Sequence, residues 1–171
     1  MVIKEKLGNL NSFEIGSRSI ERVAIEWYEA SKRILHKRTQ SGREVAIKFL
    51  QEAQNLTNDD ILWYDDKLAI VVDIQSCEVI SIRPGSMQEM ASVCYEIGNK
   101  NLPLFYSNGE LLVPFEAPLF QMLTASGYEV AKQNRKLLNQ LKTTVSPHIN
   151  TESRQGLFSK ILQLTTPSPN A

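Results

Sequence analysis

An enzyme needs at least a nucleophile, a base and a group to orient them, and this 171-residue sequence supplies few residues for those parts. Histidine occurs twice, as His36 and His148. His36 lies between basic neighbours in an extended-looking run and reads as an ordinary strand residue. His148 stands alone in a Pro-containing stretch, where one imidazole is a solvated side chain. In a symmetric dimer, however, a histidine near the two-fold axis is doubled, and two imidazoles suit Ni, Cu or Zn among the divalent metals. The cysteines, Cys77 and Cys94, have no CxxC spacing, so neither a disulfide framework nor a thiolate zinc site is indicated. Cys94 shares a helical face with Met90 and Ile97 and reads as a small core residue. The acidic pairs Asp59-Asp60 and Asp65-Asp66 fall at turn positions, and adjacent carboxylates do not project together as a catalytic pair does. Gly85, Gly98 and Gly109 are isolated, so no phosphate-cradling loop is present. Asn101, in the polar corner Gly98-Asn99-Lys100-Asn101, offers an amide, which is a poor nucleophile, a poor base and a weak metal ligand.

These residues must be positioned by two differently patterned halves. Up to about residue 75 the chain reads as short strands and turns. Val45, Ile47 and Phe49 alternate after the Gln40-Ser41-Gly42-Arg43 turn, and Ile61–Tyr64 and the apolar run Leu68–Val72 flank Asp65-Asp66-Lys67. Together they predict a small antiparallel β-module. From Glu78 strands alternate with helical patterns. Val79–Ile82 is followed by Ser86 and Glu89, a capping box, and Met87, Met90, Ala91, Cys94 and Ile97 recur on one helical face with Gly98 as the left-handed stop. Leu102–Tyr106 and Glu110–Val113 flank Asn108-Gly109, a hairpin signal. Pro118 opens a second helix, Gly127 ends it, and Tyr128–Ala131 can be a last strand, prolonged or followed by a short helix. The order β-α-β-β-α-β is the ferredoxin-like split pattern, and the fold class is α+β. Beyond it, Thr143–Arg154 reads as a linker, Leu157–Leu162 as a short apolar turn or helix, and Thr165–Ala171 as a Pro/Ser-rich end.

Bulk properties exclude several functions. Lys plus Arg and Asp plus Glu balance at 19 each, so no global field draws the chain to nucleic acid or an anionic membrane. An RNA-binding ferredoxin-like module needs aromatics on its central strands, and Val79–Ile82 supplies none. No apolar run approaches the roughly 20 residues that cross a bilayer, and a signal-peptide core is absent, so a soluble cytoplasmic protein is expected.

The corner gains meaning from a resemblance. Cys94-Tyr95-Glu96-Ile97-Gly98-Asn99-Lys100-Asn101-Leu102-Pro103-Leu104 resembles the YxxGNRH region of the UreE family of urease accessory nickel chaperones. Lys37–Ile47 is similar to that family's R-x-T-x-x-G-x-E-x-x-I pattern, and the likeness runs on through Asn108-Gly109 and Pro118-Leu119. It implies a β-rich partner-binding domain over 1–75, a ferredoxin-like metal-binding and dimerisation domain over 76–142, and a tail over 143–171. It further implies a cytoplasmic homodimer without catalysis, which binds Ni(II), and Zn(II) or Cu(II) in vitro, and works with the urease accessory GTPase and the urease pre-activation complex. The family's metal-binding histidine falls at Asn101. Val145-Ser146-Pro147-His148 resembles the tail of short-tailed members, in which a second histidine joins the site. The implied ligand set is therefore His148 with Asn101 as a weak ligand. The alternative is a scaffold of the same fold whose metal site has weakened or been lost and which docks to the GTPase.

Overall fold

The N-terminal half builds two sheets because its strands alternate in side-chain character with few helix-favouring stretches between them. In the computed structural model, which describes residues 1–50 and 55–141, β1 (Val2–Ile3), β5 (Glu44–Lys48) and β4 (Ile34–Arg38) form one sheet in the order β1-β5-β4. The second has the order β2-β6-β7-β3, from β2 (Gly8–Asn9), β6 (Asp60–Tyr64), β7 (Leu68–Ile74) and β3 (Ser19–Ile25). Val23 bridges to Thr39, joining the sheets at one corner. Between them lies a core that includes Val23, Ile25, Leu35, Val45, Ile47, Phe49, Ile70 and Val72.

The predicted hairpins are present: β4 pairs with β5 and β6 with β7, both antiparallel. The module is not purely antiparallel, because β3 pairs with β7 and β1 with β5 in parallel. The apolar continuity of Leu68–Val72 has its cause here. Ile70, Val72 and Ile74 face the main core, whereas Ala69 and Val71 face a second cluster with Ile61, covered by Leu10, Phe13 and Ile15. A central strand buried on both faces carries apolar residues at every position.

Gln75 alone separates β7 from β8 (Ser76–Ile82), where the second half begins. There α1 (Met87–Asn99), β9 (Leu104–Ser107), β10 (Glu110–Pro114), α2 (Ala117–Ala125) and β11 (Val130–Lys136) follow, giving the predicted β-α-β-β-α-β order. With the short β12 (Gln140–Leu141), the sheet runs β11-β8-β10-β9-β12, antiparallel throughout. Period-two alternation sorts its faces: Ile80, Ile82, Leu104, Leu111 and Val113 pack under the helices, while Val79, Phe105 and Leu112 point the other way. Asn108 and Gly109 take φ of 51° and 83°, the pair of positive values that a tight two-residue hairpin turn requires.

Three details of this half differ from the sequence expectation. Helix α1 does not stop at Gly98 but runs through Asn99, so Gly98 is helical and the left-handed residue is Asn101. The buried face of α1 is centred on Val93 and Ile97, with Met90 and Cys94 at its margin, and Met87 is 84% exposed. Met87 is the first helical residue, so no preceding turn holds it against the sheet. The last strand also starts later and extends further than Tyr128–Ala131, because Val130–Lys136 pairs with β8 along its full length.

The halves meet at a thin seam. Trp27 packs against the N-terminal core and also against the cluster of Val79, Phe105, Leu112 and Leu137, with an edge-to-face contact to Phe105 at 5.6 Å between ring centroids. The expected linker and apolar segment beyond residue 142 lie outside the described residues.

Candidate functional site

Asn101 closes α1. Ser86 opens the helix by accepting a hydrogen bond from the Glu89 amide, and the Glu89 carboxylate accepts from the Gly85 amide rather than from Ser86, so the reciprocal half of the predicted box is displaced by one residue. At the other end the Asn101 amide donates to Gly98 carbonyl oxygen at 3.0 Å and the Leu102 amide to Ile97 at 3.4 Å. With Asn101 at φ 53°, this is a Schellman closure. The same closure ends α2, where Gly127 has φ 83° and Gly127 and Tyr128 donate to Thr124 and Leu123. Asparagine is tolerated at such a position, as is histidine to a lesser degree, because short polar side chains are enriched in the left-handed region.

The closure leaves Asn101 exposed, and its side-chain amide has no hydrogen-bond partner among the described residues. Helix α1 leads to this corner along an exposed ridge of Met87, Ala91, Tyr95 and Gly98, spaced four, four and three residues apart, with Tyr95 70% exposed. An outward stripe of methionine, alanine, tyrosine and glycine is apolar for a solvated helix face.

The other candidates are accounted for by packing and turns. His36 sits on β4 opposite Ala46, exposed, as an ordinary strand residue. Burial pushes the thiols of Cys77 and Cys94 up, for Cys77 with help from Glu26, which disfavours the thiolate a metal would need. Asp65 caps its turn by accepting from the Lys67 and Leu68 amides, and those bonds hold its carboxyl below the ordinary value. Asp60 is buried and accepts from Thr57, Asn9 and Lys6, while Asp59 pairs with Arg22. The motif around Thr39 is a fold element as well. Thr39 accepts from the Arg43 amide, Gly42 has φ 88°, and Ile47 is fully buried.

Among the described residues no group of three His, Cys, Asp or Glu side chains comes together as a metal cage. His148 lies outside the described residues. Sequence reasoning did not single out two polar clusters that the fold assembles. Glu110 is held between Arg83 and Arg135 with Ser81 beside it, and their hydrogen bonds, Arg83's first, keep its carboxyl below the usual range. Lys136 reaches back to Asp73 and Asn58. Each unites residues far apart in the chain, and no local spacing signals such a meeting.

Fold and corner together define an α+β protein with a β-rich N-terminal half, a split β-α-β C-terminal half and an exposed polar helix end. Residues 3–75 match the model of the UreE urease accessory protein N-terminal domain, and residues 77–145 that of its C-terminal domain. The chain is 48% identical over 164 residues to the urease accessory protein UreE of Flavobacterium johnsoniae, covering 96% of this chain and 99% of the relative. It is 41% identical over 145 residues to UreE of Haemophilus influenzae, with 82% and 78% covered, and 35% identical over 164 residues to that of Helicobacter pylori, with 93% and 96% covered. The chain belongs to the UreE family of urease accessory proteins.

Proposed function

We propose that this chain is a nickel carrier for urease assembly, which acts as a homodimer and has no catalysis of its own. The observation that carries the reading is the exposed, left-handed Asn101 at the end of an apolar helix ridge, at the position where the resemblance puts the family's metal-binding histidine. In this reading Met87, Ala91 and Tyr95 form the surface on which a second copy packs, and the two-fold axis passes near Asn101. Each chain contributes His148 as its imidazole ligand, with the Asn101 amide oxygen as a weak one. An amide oxygen is harder and less basic than imidazole, so the dimer holds Ni(II) through its His148 pair or loses tight binding. Zn(II) and Cu(II) compete for the same imidazoles in vitro.

The division of labour follows the two halves: residues 1–75 bind partners, 76–142 carry the metal and dimerisation surfaces, and 143–171 form the tail that brings His148. The partners are the urease accessory GTPase and the urease pre-activation complex, in the cytoplasm. Among the described residues no helix is long and apolar enough to cross a membrane.

Calorimetric titration of the purified protein with Ni(II) tests the metal site. At most one tight site per dimer is expected, with His148→Ala abolishing it and Asn101→His strengthening it markedly. Because imidazole binds metal in its neutral form, affinity falls as pH drops below about 6.5. The substitution of amide for imidazole at position 101 favours a second reading, a scaffold of the same fold that docks the GTPase without carrying metal. Absence of nickel binding by a dimer that still binds the GTPase would select it.

A further inference from the structure

Among the described residues, the two halves are joined covalently through one residue and physically through few side chains. Gln75, between β7 and β8, is the whole connection. Its amide donates to Ile25 at 2.9 Å, and its side chain to Asp73 Oδ2 at 2.9 Å, which ties the connection to the N-terminal half. Across the seam, Trp27 lies on Phe105, and Lys136, the last residue of β11, reaches back. Its Nζ donates to Asp73 Oδ1 at 2.6 Å and to Asn58 Oδ1 at 3.1 Å. Asn58 also accepts from the Ile74 amide at 3.1 Å and donates to Asp59, which is paired with Arg22, so Lys136 is anchored in a network belonging wholly to the N-terminal half.

We propose that Lys136, with Asp73 and Asn58, is a latch that sets the angle between the two halves about a hinge at Gln75, and that competing ions release it. The apolar side of the seam cannot fix that angle alone. Among the described residues Trp27 is the ring packed against both clusters, so the apolar contact between the halves is narrow. The Lys136 pair, at the end of β11 and next in the chain to Leu137 of the seam cluster, adds a directed polar contact across the seam to the apolar one. The pair is half-buried rather than sealed, with Asp73 22% and Lys136 36% exposed, so concentrated salt weakens it in part. Burial alone would push the Asp73 carboxyl up, but the hydrogen bonds from Lys136 and Gln75 outweigh it and hold it below its ordinary value, keeping the latch charged at neutral pH.

The device couples both ends of the molecule. Leu137, next to Lys136, is buried in the seam cluster, and Phe105 lies on β9, which starts three residues after Asn101. The angle set at the seam is therefore the angle at which the N-terminal sheets are presented relative to the helix-end corner.

Residual dipolar couplings on the full chain test the latch. In the wild type at low salt, couplings from Met1–Ile74 and Ser76–Leu141 should fit one alignment tensor. In Lys136→Met and in Asp73→Asn they should need two, with chemical shifts inside each half unchanged, and the charge-swapped pair K136D/D73K should return toward one. Salt near 1 M should move the wild type toward the variants. One shared tensor in both single variants would overturn the proposal, as would two tensors in the wild type at low salt.

Discussion

Asn101 occupies a backbone state that few residue types accept, and this constrains the corner independently of any metal. A left-handed residue with a Cβ costs roughly 1–2 kcal/mol for ordinary side chains, whereas glycine escapes that cost and asparagine is partly excused. Asn101→Val should therefore lower stability by about 1–2 kcal/mol in chemical denaturation, while Asn101→Gly stays near wild type or above it. Asn101→His should fold, which makes it a fair probe of nickel affinity. The corner itself was legible, since the helical period ends there and the family motif lies across it. Glycine is the usual closing residue and points to Gly98, but three further residues pass before the chain turns at Asn101. A local pattern ranks closing residues by type, but it does not count turns of helix against the space available above the sheet.

At the scale of elements, α1 carries the surface that the proposed dimer needs. Gly98 is helical and exposed, with nothing within 4 Å of where a Cβ would stand. In the isolated chain, Gly98→Ala should raise stability by about 0.5–1 kcal/mol through helix propensity. A loss of dimer affinity in that variant would show that the bare backbone is used in close approach of a second copy. Tyr95→Glu should convert the dimer to monomer in sedimentation velocity with each chain still folded, and an unchanged dimer would remove the α1 ridge from the interface. On the opposite face of the sheet, Glu110 has a folded pKa below its unfolded value of about 4.3. Its contribution is present in full above that unfolded value and is lost as pH falls through the lower folded one. Glu110→Gln should therefore lose less stability than wild type between about pH 5 and pH 3, as measured by urea midpoints. The helix faces were legible only in part. Val93 and Ile97 are the buried centre of α1, yet Met87 and Ala91 fit the same apolar period and are exposed, because a stripe that could pack inward can equally wait for a partner.

For the whole molecule, the β-α-β-β-α-β order read from the sequence matches the topology of the C-terminal sheet. The parallel pairings of β3 with β7 and β1 with β5 were not legible, because each joins strands far apart in the chain and the alternation within a strand is the same for either direction. The seam was hidden for the same reason: Trp27, Phe105 and Lys136 are unremarkable in their own neighbourhoods and acquire roles only when the halves meet. The central claim, a nickel carrier whose paired ligand is His148, is tested most directly by Ni(II) calorimetry on the wild type and His148→Ala side by side. One tight nickel per two chains is expected in the wild type and none in the variant. Equal affinity in both would contradict it.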